Sequence, residues 1–179
     1  LNLDENDFDA LREKGTWYAD HKKDWRTAAV YYQKALAINP KDDIAMLNLG
    51  CAFWEIFEPS MGLKCFKKVK EIKPDNPFVD EEYNNCIRAL NGIRESLVKI
   101  NKQIDESPLD PSLIGAKAFL HYHLGEYLNA FQSFDEKVKH CPDDLQSWYY
   151  RGYSLLRLGR KVEADQSFDM VSFLDKKIK

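Results

Sequence analysis

The sequence predicts an all-α protein made of tandem helix pairs, and two regularities carry this prediction. Prolines recur at one constant interval, at Pro40, Pro74, Pro108 and Pro142. A small residue stands twelve positions before each proline and a large apolar residue eight positions before it: Ala28 and Tyr32, Gly62 and Phe66, Ser96 and Ile100, and Ala130 and Phe134. Residues four apart share one face of a helix, so this pairing is typical of closely packed helices. A constant interval of this length is typical of helical repeats.

Each repeat is predicted to run as helix, short turn and helix. The proline ends the second helix and restricts the residue before it. Glycine is expected to end the first helix in Leu124-Gly125 and Leu158-Gly159, because it adopts the left-handed conformation that terminates helices. Aspartates that follow the prolines are predicted to cap the next helices: Asp42, Asp43, Asp75, Asp143 and Asp144. The expected repeats are 8–40, 43–74, 77–108, 111–142 and 145–176, in a single domain that covers 1–179.

Two repeats depart from this pattern. In the first, Gly15 stands thirteen positions before Ala28 where the other repeats have a spacing of twelve, so one extra residue is expected there. The third repeat, 77–108, keeps the spacing but has polar residues such as Asn84 in the small positions. It is either a degenerate helix pair or one long helix that joins two repeat pairs. We favour the helix pair, because Asn91-Gly92 stands where the turn belongs.

These motifs resemble the tetratricopeptide repeat. The residues that carry the likeness are Leu49, Gly50, Phe53, Gly62, Phe66 and Pro74, then Leu124, Gly125, Tyr127, Ala130, Phe134 and Pro142, then Trp148, Gly152, Ala164 and Phe168. The resemblance implies a right-handed superhelix of about five antiparallel helix pairs, the third degenerate, with a concave groove lined mainly by first helices. It also implies a protein-interaction scaffold, since stacked helix pairs complete each other's core and leave an extended surface free.

Composition and charge narrow the possible partners. The formal net charge of -3 gives no broad positive field, so we expect neither nucleic acid nor an anionic membrane as a partner. No stretch approaches the roughly 20 apolar residues that span a bilayer, and the acidic first residues do not resemble a signal peptide. The four cysteines are widely spaced and are expected to be free thiols, which fits a reducing compartment. We therefore expect a cytoplasmic location.

The residue types used in catalysis do not form a recognisable site. His121 and His123 are two apart, so on a helix they point about 200° away from each other and do not share a metal ion. The acidic residues near 4–9 and 80–82 fall at predicted helix starts, where negative charge is locally favoured. No phosphate-binding loop or nucleophile motif is present. The expectation is a protein that is not an enzyme and that uses no metal and no cofactor.

The resemblance also implies a possible carboxylate clamp, in which lysine, arginine and asparagine on successive first helices bind an acidic C-terminal tail. Arg12 and Asn48 match the clamp residues in type. Phe78 and Glu82 occupy the positions of the third helix's cations, so the clamp is at best partial. Two carboxylates need those cations for charge-assisted hydrogen bonds.

Aromatic residues dominate the remaining positions that project into the expected groove. They are Trp54, Phe119, Tyr122, Tyr149, Tyr150 and Tyr153. Aromatic side chains supply much contact area at low entropic cost, so these residues are predicted to bind a peptide or a helical segment of a partner protein. The alternative for each ring is that it packs between helices.

The last helix is predicted without a following helix to cover it. Phe168, Val171, Phe173 and Leu174 lie on this helix, and some of them are expected to be uncovered. Either the chain belongs to a longer array, or this surface pairs with a second copy as a homodimer. Self-assembly through the uncapped C-terminal repeat is therefore the alternative function.

Overall fold

A computed structural model describes residues 7–178, and within that range the chain is entirely helical, without strands. The helices are α1 (Phe8–Trp17), α2 (Trp25–Ile38), α3 (Asp43–Glu55), α4 (Pro59–Ile72), α5 (Val79–Glu106), α6 (Pro111–Leu124), α7 (Tyr127–His140), α8 (Leu145–Arg157) and α9 (Lys161–Ile178), with a π-helical turn at Tyr18–Lys22. The predicted all-α class is confirmed. None of the described helices is both long and apolar enough to cross a membrane.

The helices pack as antiparallel neighbours in chain order. Helix α1 packs on α2, α3 on α4, α6 on α7 and α8 on α9, and consecutive pairs meet where α2 contacts α3 and α7 contacts α8. The contacts divide the chain after Leu90 into two compact units. We call them unit 1 (up to Leu90) and unit 2 (from Asn91) and describe each by itself.

Aspartate caps explain where three of the first helices begin. Asp42 accepts a hydrogen bond from the backbone N–H of Ala45 at 2.6 Å and starts α3. Asp144 starts α8 in the same way, because it accepts from the N–H of Ser147 at 3.3 Å. These two caps were predicted. Asp110, which was not predicted, caps α6.

A single left-handed residue follows the first helix in each of the four pairs. These residues are Lys23, Phe57, Gly125 and Gly159, with φ values of 53°, 60°, 77° and 77°. They recur at the same interval as the prolines, except for one gap of twice that length between Phe57 and Gly125. The missing position is 91, in the middle of α5.

The helix pair that we predicted for 77–108 is wrong, because α5 runs without a break through the expected turn. Asn91 is helical, and its side-chain oxygen accepts a hydrogen bond from Arg94 at 3.0 Å. The carbonyl of Gly92 accepts one from the Ser96 hydroxyl at 2.9 Å. Both bonds join residues three or four apart, as a helix requires. The one long helix that the sequence left open is therefore what the structure shows.

The extra residue of the first repeat has a structural counterpart. The end of the first helix widens into the π-helical turn Tyr18–Lys22 before the left-handed Lys23. A π turn holds one more residue than an α turn, so it absorbs an insertion without shifting the helices on either side.

Close contacts between a glycine and an aromatic ring join the two helices of three pairs. A Cβ atom built on Gly50 would lie 2.5 Å from Cε1 of Phe66, and one on Gly152 would lie 2.8 Å from Cε1 of Phe168. Gly15 and Tyr32 make the same contact in the first pair. In these three pairs the large ring of the second helix thus packs against a glycine of the first helix, at a distance that leaves no room for a Cβ atom.

Candidate functional site

Partly exposed aromatic rings form a continuous strip on the first helices of unit 2. Phe119 comes from α6, and Tyr149, Tyr150 and Tyr153 come from α8. We call these four residues the aromatic face. Each of the four side chains keeps part of its surface exposed while its remaining surface packs on the protein.

Ring contacts connect the members of the aromatic face in one chain. The ring of Phe119 meets that of Tyr150 edge-on, with centroids 4.9 Å apart. Tyr150 meets Tyr149 at 5.5 Å, and Tyr149 meets Tyr153 at 4.7 Å. The hydroxyl groups of Tyr149 and Tyr153 lie 3.3 Å apart. These distances fall in the range of favourable aromatic pairs, so the rings hold one another in place.

Helix α9 supports the aromatic face from behind. The ring of Tyr153 packs edge-on against Phe168 at 5.4 Å, and Tyr149 lies 6.3 Å from the same ring. Gly152 stands between the two tyrosines in sequence and lets Phe168 approach α8 closely. The exposed tyrosines therefore rest on a packed base rather than on a mobile loop.

Tyr122 is a correction to the predicted site. Its side chain is only 2% exposed, and its ring packs against Tyr127 at 5.6 Å and Tyr150 at 5.1 Å within the core of unit 2. A residue so deeply buried offers almost no surface to a partner. Tyr122 is therefore a core residue that supports Tyr150.

A charged network, which the sequence did not predict, fastens α8 to its neighbours. Arg151 donates hydrogen bonds to Asp135 of α7 at 2.8 and 3.0 Å and to the hydroxyl of Ser167 of α9 at 2.7 Å. Lys139 pairs with Asp135 at 2.7 Å. Partial burial opposes the charge on Asp135, but the hydrogen bonds from Lys139 and Arg151 outweigh it and hold the pKa of Asp135 below its usual value. The network positions α8, which carries three of the four exposed rings.

The two clamp residues in unit 1 lie beside one shallow pocket of about 300 Å³. Arg12 and Asn48 line it together with Thr16, Trp17 and His21, among others. The guanidinium of Arg12 already pairs with Asp9 at 2.9 Å and Asp42 at 3.5 Å. Because these two aspartates already neutralise the guanidinium of Arg12, Arg12 attracts the carboxylate of a ligand less strongly.

Phe78 and Glu82, which occupy the positions of the clamp's remaining cations at the start of α5, are unsuited to binding carboxylates. Phe78 is 72% exposed and brings no charge. Burial raises the pKa of the Cys51 thiol to about 11, and the nearby negative charge of Glu82 contributes to this shift. A negative group in this position repels an acidic tail.

Trp54 and the cysteines of unit 1 belong mainly to its core. The Trp54 ring is half-buried and packs on the core cluster of unit 1. All four cysteines of the chain are free thiols, as expected. Burial raises the pKa values of Cys65 and Cys86 to about 12, so these thiols stay protonated and unreactive near neutral pH.

His121, one of the two closely spaced histidines, contacts a carboxylate. His121 is buried, and its Nδ1 atom lies 2.6 Å from Oε2 of Glu126. Among residues 7–178, no group of three or more histidine, cysteine, aspartate or glutamate side chains is arranged to hold a metal ion.

A cavity in unit 1 was not predicted from the sequence. It has a volume of about 560 Å³ and lies between the second helices α2 and α4, with α3 as its floor. Lys64, Lys67 and Lys68 stand on its rim, and we call it the lysine-rimmed cavity. Their spacing of three and four residues was the available signal, because such residues share one helix face.

The helix pairs, the constant proline interval and the glycine-aromatic contacts define an all-α helical repeat protein that resembles the tetratricopeptide repeat. No protein-family model matches the sequence. Superkiller protein 3 of Schizosaccharomyces pombe is 24% identical over 160 residues, which cover 82% of this chain and 11% of that protein. Protein FlbA of Caulobacter vibrioides is 22% identical over 141 residues, 79% of this chain and 24% of that protein. The chain thus spans about a tenth and about a quarter of the lengths of these relatives.

Solved structures of MamA are similar to this chain over nearly its whole length. The structure of residues 41 to the end of MamA from Desulfovibrio magneticus RS-1 has a TM-score of 0.47 at 12% identity and covers 99% of this chain and 98% of its own. Another MamA structure has a TM-score of 0.46 at 15% identity, with coverages of 95% and 92%.

Proposed function

We propose that the chain is a protein-interaction scaffold and that the aromatic face of unit 2 binds an extended or helical segment of a partner protein. The observation that carries the proposal is the unbroken run of ring contacts from Phe119 to Tyr153, in which all four rings keep exposed surface. The role is binding without catalysis, and it calls for no metal or cofactor.

The physical chemistry of the aromatic face favours a peptide ligand. Tyrosine has few rotatable bonds, so a partner gains contact area at a small cost in side-chain entropy. The packing of Tyr149 and Tyr153 on Phe168 reduces that cost further, because the rings are already ordered before binding. Each tyrosine also keeps a hydroxyl group that can exchange hydrogen bonds with a peptide backbone.

The thiol chemistry supports a reducing location for this scaffold. The protein holds four unpaired cysteines, and buried free thiols are usual where disulfides are kept reduced. A cytoplasmic scaffold therefore forms part of the proposal, together with a protein partner in place of nucleic acid or membrane.

The test compares the proteins captured by two variants of the chain. Replacing Tyr149 and Tyr153 by alanine removes two adjacent rings, and each lost contact weakens binding by about 1–2 kcal/mol. The control replaces Phe78 and Leu109, both highly exposed and outside the aromatic face, by alanine. Affinity purification with quantitative mass spectrometry is expected to lose its specific partners with the tyrosine variant only. Equal recovery from both variants, with unchanged circular dichroism, would rule out the aromatic face.

A second candidate function is self-association through α9. Phe173 is 61% exposed and Val162 is 74% exposed. They stand eleven residues apart, which is close to three turns, so they lie on one side of the helix. Leu174, by contrast, is buried in unit 2 and is not part of this surface. Replacing Phe173 by glutamate is expected to dissociate a dimer in multi-angle light scattering, whereas a chain that is monomeric at all concentrations would eliminate this candidate.

A further inference from the structure

The lysine-rimmed cavity has an apolar floor and two walls, each supplied by a different helix. Its floor is formed by buried residues of α3, namely Met46, Leu49 and Phe53. One wall comes from Leu36 and Ala37 of α2, and the other comes from α4. The volume of about 560 Å³ lies well within the range of natural ligand pockets, about 300–1,000 Å³.

The two walls differ in charge. The α4 wall carries Lys64, Lys67 and Lys68, whereas the α2 wall carries the uncharged Gln33 and Ala37. All three lysines are exposed, and none of them has a carboxylate within 4.0 Å among the residues that the structure describes. Other lysines of α4 and its end are paired, since Lys70 contacts Asp80 and Lys73 contacts Asp43.

The apolar floor is suited to bulky side chains. Met46 and Met61 line the cavity together with Leu49 and Phe53. Methionine is unbranched and polarizable, so it adapts to the shape of an inserted group. Only Glu71 brings a negative charge to the lining, against three lysines.

We propose that the lysine-rimmed cavity binds an acidic, amphipathic helical segment of a partner protein. Bulky apolar side chains on one face of that helix enter the cavity, and carboxylates on the flank beside α4 bind Lys64, Lys67 and Lys68. The occupant is identified by charge complementarity, because three unpaired cations stand on one wall only. Helix-in-groove recognition uses apolar anchors at spacings of three and four residues in this way. This surface is distinct from the aromatic face and belongs to unit 1.

The test selects ligands from an unbiased library. The full chain is immobilised as bait for random 16-residue peptides displayed on phage. We expect enrichment of sequences with bulky apolar residues at helical spacing and with aspartate or glutamate beside them. Synthetic copies of the enriched peptides are then measured by fluorescence anisotropy against the chain and its variants.

Three variants decide the outcome. Lys64→Glu with Lys67→Glu is expected to weaken peptide binding about tenfold or more, because repulsion replaces attraction. Lys99→Glu with Lys102→Glu makes the same charge change at the same spacing on α5 and is expected to leave binding unchanged. Ala37→Trp fills the cavity from an exposed position and is expected to abolish binding while circular dichroism stays normal.

Three results would overturn the proposal. One is that no acidic amphipathic peptide is enriched. A second is that enriched peptides bind the Lys64→Glu, Lys67→Glu chain and the parent chain equally. A third is that a fluorescent fatty acid binds with the lysine dependence described while peptides do not, which would assign the cavity to a lipid. Because Lys64, Lys67 and Ala37 lie in unit 1, failure here leaves the test of Tyr149 and Tyr153 unaffected.

Discussion

The continuity of α5 leads to a prediction in which the sign of the effect is decisive. Replacing both Asn91 and Gly92 by alanine should stabilise the protein if the helix runs through these residues. Asn91 and Gly92 are exposed, and a Cβ atom added to Gly92 meets nothing within 4 Å. The substitution therefore introduces no steric clash, and its effect comes from the backbone.

The expected gain follows from helix propensity. Alanine in an exposed helix interior is favoured over glycine by about 0.8–1.0 kcal/mol and over asparagine by up to about 0.7 kcal/mol. Loss of the exposed bond between Arg94 and Asn91 removes a few tenths, about 0.2–0.5 kcal/mol. The net stabilisation is about 1–1.5 kcal/mol, or a rise of about 2–6 °C in melting temperature for a chain of this size.

A helix pair would give the opposite sign. Position 91 would then take the left-handed conformation, in which alanine costs about 1–2 kcal/mol. The assay is urea denaturation followed by circular dichroism at 222 nm. Gly159→Ala is the matched control, because Gly159 has equal open space but a φ of +77°, so alanine should destabilise it by about 1–2 kcal/mol. Destabilisation by both substitutions would refute the continuous helix.

Three further predictions concern the packing, the charged network and the thiols. Gly50→Ala places a Cβ atom 2.5 Å from the buried Phe66 ring. The cost of overpacking, about 1–3 kcal/mol, should exceed the gain in helix propensity of about 1 kcal/mol, so urea denaturation should show a less stable protein. Arg151→Ala should cost about 1–3 kcal/mol at pH 7. Because the folded-state pKa of Asp135 is lowered, its stabilising contribution is present above the usual carboxyl pKa and is lost as the pH falls through the lowered value, so the cost of Arg151→Ala should shrink in acid denaturation curves. Iodoacetamide at pH 8 should label Cys141 first and the three cysteines of unit 1 only slowly, as peptide mass spectrometry would show, since their pKa values are about 11–12. Stabilisation by Gly50→Ala, a pH-independent cost of Arg151→Ala, or equal labelling of all four thiols would contradict the respective arguments.

The local signals in the sequence predicted most of the helix pairs because their physical causes are local. Proline ends a helix because it lacks a backbone N–H and its ring clashes with the preceding turn. Asp42 and Asp144 cap helices that begin within three residues of them. Gly50 and Phe66 were both identified as repeat residues, but the contact between them was not predicted, because the sequence pattern pairs Phe66 with Gly62 on the same helix.

The turn at Asn91-Gly92 was predicted wrongly because this dipeptide is compatible with both a turn and a helix. Glycine and asparagine tolerate the left-handed conformation, but they also tolerate a helix at a cost of about 1 kcal/mol or less. At Gly125 the chain does turn, with φ at 77°. At Asn91 the neighbouring Arg94 and Ser96 supply hydrogen bonds that suit the helix. The residue types at Asn91-Gly92 therefore do not by themselves decide between a turn, as at Gly125, and a continuous helix.

The candidate site was less predictable than the fold because exposure depends on the tertiary packing. Tyr122 and Tyr150 come from facing helices, and the contact between their rings leaves the first buried and the second partly exposed. The lysine-rimmed cavity depends on α2, α3 and α4 together, so the lysine spacing on α4 alone does not reveal it.

The most direct test of the central claim is hydrogen-deuterium exchange of the chain with and without a partner recovered by affinity purification. Binding at the aromatic face predicts slowed exchange in α6 around Phe119 and in α8 from Tyr149 to Tyr153. Slowed exchange confined to α7 and α9, with α6 and α8 unchanged, would contradict it.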